Sequence, residues 1–324
     1  MFKYVLRRVA QMIPVFLGVT LLLFLLRIDG VIPGDPIKLI VGEKALLPAL
    51  EEQIRQEYRL DEPIYTQYVY YIGDLVKGDL GQSFQKNREV VDILVDKFPN
   101  TFRLAVAAII IEIIMGILAG IISAVKQYTF WDVLVTISTS VLVSVPVFWL
   151  GLILQLLLGI KLKQWTGGAF FLPMSGMGSP PDFVHVVLPA ITLASVSTAY
   201  VARIMRSQML EAMGQDYIRT ARAKGLTNRA VVFKHALKNA LIPVVTYIGI
   251  DMGALMGGAI LTETIFSWPG VGREIYLAVM QRDWPVVMGG VIVVVLIVMV
   301  VNLLVDVSYA ALDPRIRYGG ASDE

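Results

Sequence analysis

Along this chain, long apolar runs alternate with shorter polar stretches, and the polar stretches are where most of the local detail lies. The apolar runs predict membrane-crossing helices, since about 20 consecutive apolar residues span a bilayer core. The first runs from Val9 to Leu26, behind Lys3, Arg7 and Arg8. Arg27, Ile28, Asp29 and Gly30 follow it in place of a small-x-small cleavage pattern, so residues 1–28 are read as an uncleaved anchor with its N-terminus inside. Residues 29–100 are polar and locally helical, and are expected outside. Pro48 opens a helix toward Tyr58, Asp61-Glu62-Pro63 turns, and a Tyr-rich amphipathic stretch runs from Tyr65 to Val76.

Residues 101–310 form the core. A second span is expected from Phe102 to about Val125 and a third from Val133 to Ile160, interrupted at Pro146. After an outer loop rich in Gly and Pro comes a fourth span, about Phe183 to Ile204. A fifth, about Leu241 to Leu261, carries Gly249, Gly253 and Gly257 at four-residue spacing, a stripe that lets helices approach closely. An outer amphipathic element from Thr262 precedes a last span, about Val286 to Tyr309, and residues 311–324 form a tail. The fold class is therefore all-α and polytopic, with six transmembrane helices.

The hairpin 207–240 between spans four and five is the longest polar interruption in the second half of the chain. Leu210 to Lys224 favours a helix, Gly225 supplies its end, and Thr227 is placed to cap a second helix through about Ala240. Arg219, Arg222, Lys224, Arg229, Lys234 and Lys238 face only Glu211 and Asp216 here, and short basic loops belong inside. Over the short segments, twelve Lys and Arg lie on that side and four on the other, which puts both termini in the cytoplasm. Tyr217, Ile218, Ala221 and Leu226 interrupt the basic surface. They suit either docking on another protein or contact with anionic lipid.

Composition narrows the function. The chain is 56% hydrophobic with a mean hydropathy of +0.69, so its solvent is the bilayer. The net charge of +2, concentrated in loops, does not describe a nucleic-acid binder. With no Cys and only His185 and His235, disulfide, thiolate and histidine-metal chemistry have nothing to build on. No Lys is followed by Ser or Thr, so there is no phosphate-binding loop, and any ATP hydrolysis must take place on a partner. Three classes remain: a permease driven by a separate ATPase, a secondary transporter, and an intramembrane enzyme. The acids Glu112, Asp251 and Asp306 are too scattered for a catalytic site. The two halves lack the matched broken helices of a secondary transporter. Charge inside a span is expensive, so Glu112 and Asp251 are candidates for the translocation pathway, with a buried hydrogen bond as the alternative for each.

The hairpin words DYIRTARAKGL and HALKNALIPVV resemble the cytoplasmic coupling loop of ABC-importer permeases, closest to the dipeptide and oligopeptide family. PGDP at 33–36, KGDLGQS at 77–83, FPNT at 98–101, the whole of 262–287 and ALDPRIRYGG at the tail resemble the same family. Against the general coupling pattern, Gly225, Ala221 and Leu237 match, while Arg219, Thr220, His235 and Lys238 depart from it. The resemblance implies a type I importer-like core in a bacterial or archaeal cell membrane. It also implies that Tyr217, Arg219, Thr220, Ala221, Arg222, Ala223, Lys224, Gly225, Leu226 and His235 form the ATPase-coupling surface. The partners it implies are a second, similar permease, two cytoplasmic ATPase subunits carrying ATP and Mg, an extracytoplasmic substrate-binding protein, and lipid. No cofactor is expected on this chain, and the cargo is left open among peptides, nickel complexes and sugars.

Overall fold

A computed structural model describes residues 2–26, 52, 59 and 61–312. The expected helix from Pro48, the PGDP motif and most of the tail motif lie outside those residues. Six helices among the described residues are long and apolar enough to cross a membrane. Helix α1 (Phe2–Leu26) is mostly exposed and lies along the last helix, pinned by Arg8 to Asp306 at 3.2 Å. The amphipathic α2 (Ile64–Val76) leans on it: the Tyr68 hydroxyl pairs with Thr20 at 3.0 Å, and Phe24 stacks between Tyr68 and Tyr71. Two of the four tyrosines of this stretch are therefore used for packing.

The second crossing begins earlier than its apolar run. Helix α3 (Val90–Ile111) takes in the last part of the segment expected to be an outer loop, then passes through a π-helical turn (Glu112–Gly116) into α4 (Ile117–Val125). The cause is tertiary. Val90, Ile93 and Leu94 are buried against the helices at the far end of the chain, which offsets the cost of ordering three more turns. The third crossing is two helices, α5 (Phe130–Ser144) and α6 (Val147–Leu154), the latter running on through a π-helical stretch to α7 (Leu162–Trp165). Pro146 forces Val145 into an extended conformation, φ −89° and ψ 128°, as a residue before proline must be.

Helix α8 (Val184–Met213) is the most buried crossing and the hub, packed against α3, α4, α5 and the helix after the hairpin. It runs parallel to α3 and α4. Gly116 meets Val201 and the Thr198 carbonyl, and Gly120 meets Met205 and Ala202, so the two helices touch along successive turns where glycine leaves room. The hairpin contains α9 (Asp216–Ala223) and α10 (Asn228–Ala230), which continues through a π-helical turn (Val231–Ala236) into α11 (Leu237–Ile265). A surface helix, α12 (Val271–Gln281), leads to α13 (Trp284–Leu312). In the glycine stripe of α11, Gly253 packs on Val298 and Asn302 of α13, whereas Gly257 faces open space.

Candidate functional site

The hairpin folds as three short pieces in place of the two helices expected. The chain leaves α8 at Gly214, and Gln215 is extended, φ −76° and ψ 155°, so α9 is only Asp216–Ala223 rather than a helix from Leu210. Asp216 in its first turn and Arg222 in its last complement the helix dipole. Gly225 has φ +75°, the left-handed conformation in which a β-carbon is penalised. Thr227 then caps the next helix, accepting the Ala230 N–H at 3.4 Å. That second helix does not stop near Ala240, because it is the start of the fifth crossing.

The faces of α9 divide sharply. Ile218 and Ala221 are buried among Met209, Ala212, Val231, Val232 and Ala236. Tyr217, Arg219, Thr220, Arg222, Ala223, Lys224, Gly225 and Leu226 are exposed. Ala221, expected on the docking surface, instead anchors the helix, because a small side chain lets α9 sit close to the cluster beneath it. His235 is half-buried on the π-helical turn that packs against α9. A short basic helix is thus mounted on the common core of α4, α8, the π-helical turn Val231–Ala236 and α11, with its polar face outward. Any force on it reaches three crossings through packed side chains.

A second device near this end was not recognised from the sequence. Arg206 of α8 grips Asp132 of α5 with one edge of its guanidinium, Nε to Oδ1 at 2.8 Å and Nη2 to Oδ2 at 2.9 Å. Ser123 and the Tyr128 backbone N–H also donate to that carboxylate. The clasp closes the 126–129 turn onto the helix that leads into the hairpin. Its signal in the sequence is one acid and one base, 74 positions apart, each at the margin of an apolar run.

In mid-crossing, Glu112 is fully buried on the π-helical turn, and neither carboxylate oxygen has a hydrogen-bond partner among the described residues. Stepping back one turn from the Gly116 contact puts it level with Ser197 and Thr198 of α8. Asp251 of α11 is its electrostatic neighbour and is half-buried. Ser197 stands in hydrogen-bonding reach of Asp251, while its Oδ2 is unbonded. Both acids therefore converge on α8, and Asp251 lies off the Gly253 contact with α13.

At the opposite end, the 262–287 segment is locked to the start of the core. Glu263 is fully buried, receiving the Thr101 hydroxyl at 2.6 Å and the Arg273 N–H at 2.9 Å, and the Thr101 oxygen accepts the Val271 N–H at 2.8 Å. Asn100 donates to the Pro269 carbonyl, and Trp268 donates to that of Asn100. Asp283 collects Ser83 and the Phe84 N–H, joining the KGDLGQS loop to the turn before α13. Beside this region, His185 hydrogen-bonds Asp182 at 2.6 Å and holds that carboxyl below its ordinary range.

Comparison with known proteins gives a consistent picture. The family model described as "Binding-protein-dependent transport system inner membrane component" matches residues 116–318, and the N-terminal model of the same transport-system membrane components matches 1–105. The dipeptide transport system permease protein DppB of Escherichia coli (strain K12) is 41% identical, covering 98% of this chain and 99% of that protein. The di/tripeptide transport system permease protein DppB of Pseudomonas aeruginosa (strain UCBPP-PA14) is 42% identical, with 98% and 99% covered. The oligopeptide transport system permease protein AppB of Bacillus subtilis (strain 168) is 37% identical, with 98% and 100% covered. Among solved structures, an inward-facing MetNI methionine ABC transporter chain aligns with a TM-score of 0.54 at 17% identity, over 68% of this chain and 96% of that one. An amino acid ABC transporter chain aligns with a TM-score of 0.51, also at 17% identity, over 69% and 94%. These two carry the fold.

Proposed function

Since the chain belongs to the family of binding-protein-dependent transport system inner membrane components, we propose that it is the permease of a short-peptide importer and that α9 is its coupling surface. As a membrane permease component of an ABC importer, it works with ATPase and substrate-binding partners. The finer assignments are ours: di- or oligopeptide cargo, a second similar permease completing the pathway, two ATPase subunits with ATP and Mg, and both termini in the cytoplasm.

The mounting of α9 carries the reading. Ile218 and Ala221 fix the helix to the core cluster, while Tyr217, Arg219, Arg222, Lys224 and Leu226 remain exposed on its outer side. A surface that exchanged only lipid contacts would not need a rigid mount shared by α4, α8 and α11. A surface that transmits force does. When ATP draws the ATPase subunits together, α9 of each permease moves with them, and α8 and α11 follow because their side chains interlock with it. The pathway then opens toward the binding protein, which releases its cargo.

The test is reconstitution of the chain with its partner permease, ATPase subunits and binding protein in liposomes. Peptide-loaded binding protein should stimulate ATP hydrolysis and drive peptide uptake. The chain has no native Cys, so a single Cys at Asn228 should react with an impermeant thiol reagent from the ATPase side only. Uptake that continues without ATP would establish the secondary transporter in place of this reading. Labelling from the binding-protein side would refute the coupling role of α9.

A further inference from the structure

Helices α8 and α11 each carry a charged side chain that has no ionic partner among the described residues. Arg203 is exposed on a membrane-crossing helix, and one guanidinium nitrogen donates to the Thr139 carbonyl at 3.2 Å. Among the described residues, no carboxylate forms an ion pair with it, in contrast to Arg206 one turn further on, which Asp132 neutralises. Asp251 on α11 is the complementary case: a half-buried carboxylate with an unbonded Oδ2 and no basic partner among the described residues. Two tyrosines lie between them. The Arg203 guanidinium is 5.8 Å from the Tyr200 ring, the Tyr200 and Tyr247 rings are 6.1 Å apart, and Tyr247 is the electrostatic neighbour of Asp251.

Helix direction orders these groups. Helix α8 runs toward the hairpin and α11 runs away from it, so Arg203 lies about 4.5 Å to the hairpin side of Tyr200 and Asp251 about 6 Å to the far side of Tyr247, at about 1.5 Å per residue. The result is a cation, an aromatic pair and an anion in sequence, with the two charges on the order of 10 Å apart along the helices. A charge without an ionic partner on a crossing is costly, and two of opposite sign are relieved together by a ligand that carries both. A hydrogen-bonded approach of about 3 Å at each end leaves roughly 5 Å between the ligand's own charges. At about 3.3 to 3.6 Å per extended residue, that is close to the separation of the termini in a dipeptide and too short for an extended tripeptide. Next to Arg203, a cavity of about 450 Å³ whose lining includes Thr136, Arg206 and Ser207 gives the carboxylate end room.

We propose that Arg203, Tyr200, Tyr247 and Asp251 form a transit subsite for a short zwitterionic peptide, its carboxylate on Arg203 and its ammonium on Asp251. The peptide enters the hairpin half of the pathway carboxylate first. The tyrosine faces hold the backbone between the two charges. This assignment rests on the peptide-importer reading above, and it adds the residues, the polarity and the length preference.

The experiment uses the full reconstituted complex with binding protein in excess. Its cargoes are dialanine, dialanine with its carboxyl amidated, and dialanine with its amine acetylated, each rate taken relative to the parent protein on the same cargo. Arg203→Gln should lower dialanine uptake at least about tenfold, the scale of one lost hydrogen bond to a charged group, and Arg203→Lys should recover most of it. The Gln variant should lose nothing further on the amidated cargo. Asp251→Asn should show the mirror pattern, losing dialanine and sparing the acetylated cargo. Should Arg203→Gln fail to co-purify with the ATPase, the Asp251→Asn selectivity decides by itself. Dialanine uptake unchanged in the variants, or equal losses on free and capped cargo, would overturn the subsite. No dialanine uptake by the parent complex would instead overturn the peptide reading on which it stands.

Discussion

The link between α9 and transport can be tested through the backbone of one residue. Gly225 has φ +75°, its N–H is bonded to the Arg222 carbonyl at 2.9 Å, and the next N–H, of Leu226, reaches the Ala221 carbonyl at 3.3 Å. A β-carbon built on it meets no atom within 4 Å, so any penalty for a side chain comes from the left-handed conformation and not from crowding. For an ordinary residue that penalty is about 1 to 2 kcal/mol, Asn suffers less of it, and a β-branched residue suffers more. One to two kcal/mol is a factor of about 5 to 30 in population, taken from the conformer that turns the chain back to the Thr227 cap. ATP hydrolysis stimulated by loaded binding protein should therefore fall in the order Gly225, Gly225→Asn, Gly225→Ala, Gly225→Val, with Ala losing about 5-fold or more. Stimulation by Val at the parent level would refute the conformational argument. Equal losses with Asn, Ala and Val would refute it differently, showing that the ATPase sits directly on this position.

Two further predictions concern how the hairpin is held. Asp132→Asn leaves Arg206 half-buried with its charge unmatched, so it should destabilise the protein by about 2 to 4 kcal/mol, read as a lower unfolding temperature in detergent; Asp132→Asn with Arg206→Gln should cost less than the sum of the single changes, and additive losses would show that the clasp contributes nothing as a pair. Gly120→Ala puts a β-carbon 2.5 Å from that of Met205 and 2.7 Å from the Ala202 carbonyl, so α4 and α8 must part, at about 1 to 3 kcal/mol; an unchanged unfolding temperature would mean that the two helices do not meet there.

Apolar length and local residue type are one-dimensional quantities, and what depends on them was legible in the sequence. The six crossings, the helical class, the kink at Pro146, the turn at Gly225 and the Thr227 cap follow from residue types within a few positions of one another. Element boundaries did not follow. Helix α3 begins at Val90 because Val90, Ile93 and Leu94 are buried by α12 and α13, nearly two hundred residues away. The break at Gly214–Gln215 and the inward turn of Ala221 depend on the packing beneath α9, which helix propensity does not register. The same holds for the charged groups. Glu112 and Asp251 are conspicuous in the sequence because each is an acid in an apolar run, yet only the packing of α3 and of α11 on α8 brings Glu112 level with Ser197 and Thr198 and puts Asp251 within reach of Ser197. Arg203 and Arg206 are three residues apart on one helix and chemically identical, so no local pattern separates them. Helix α5 supplies a carboxylate to Arg206 and only a backbone carbonyl to Arg203. An ion pair depends on distance in space, and the fold sets that distance.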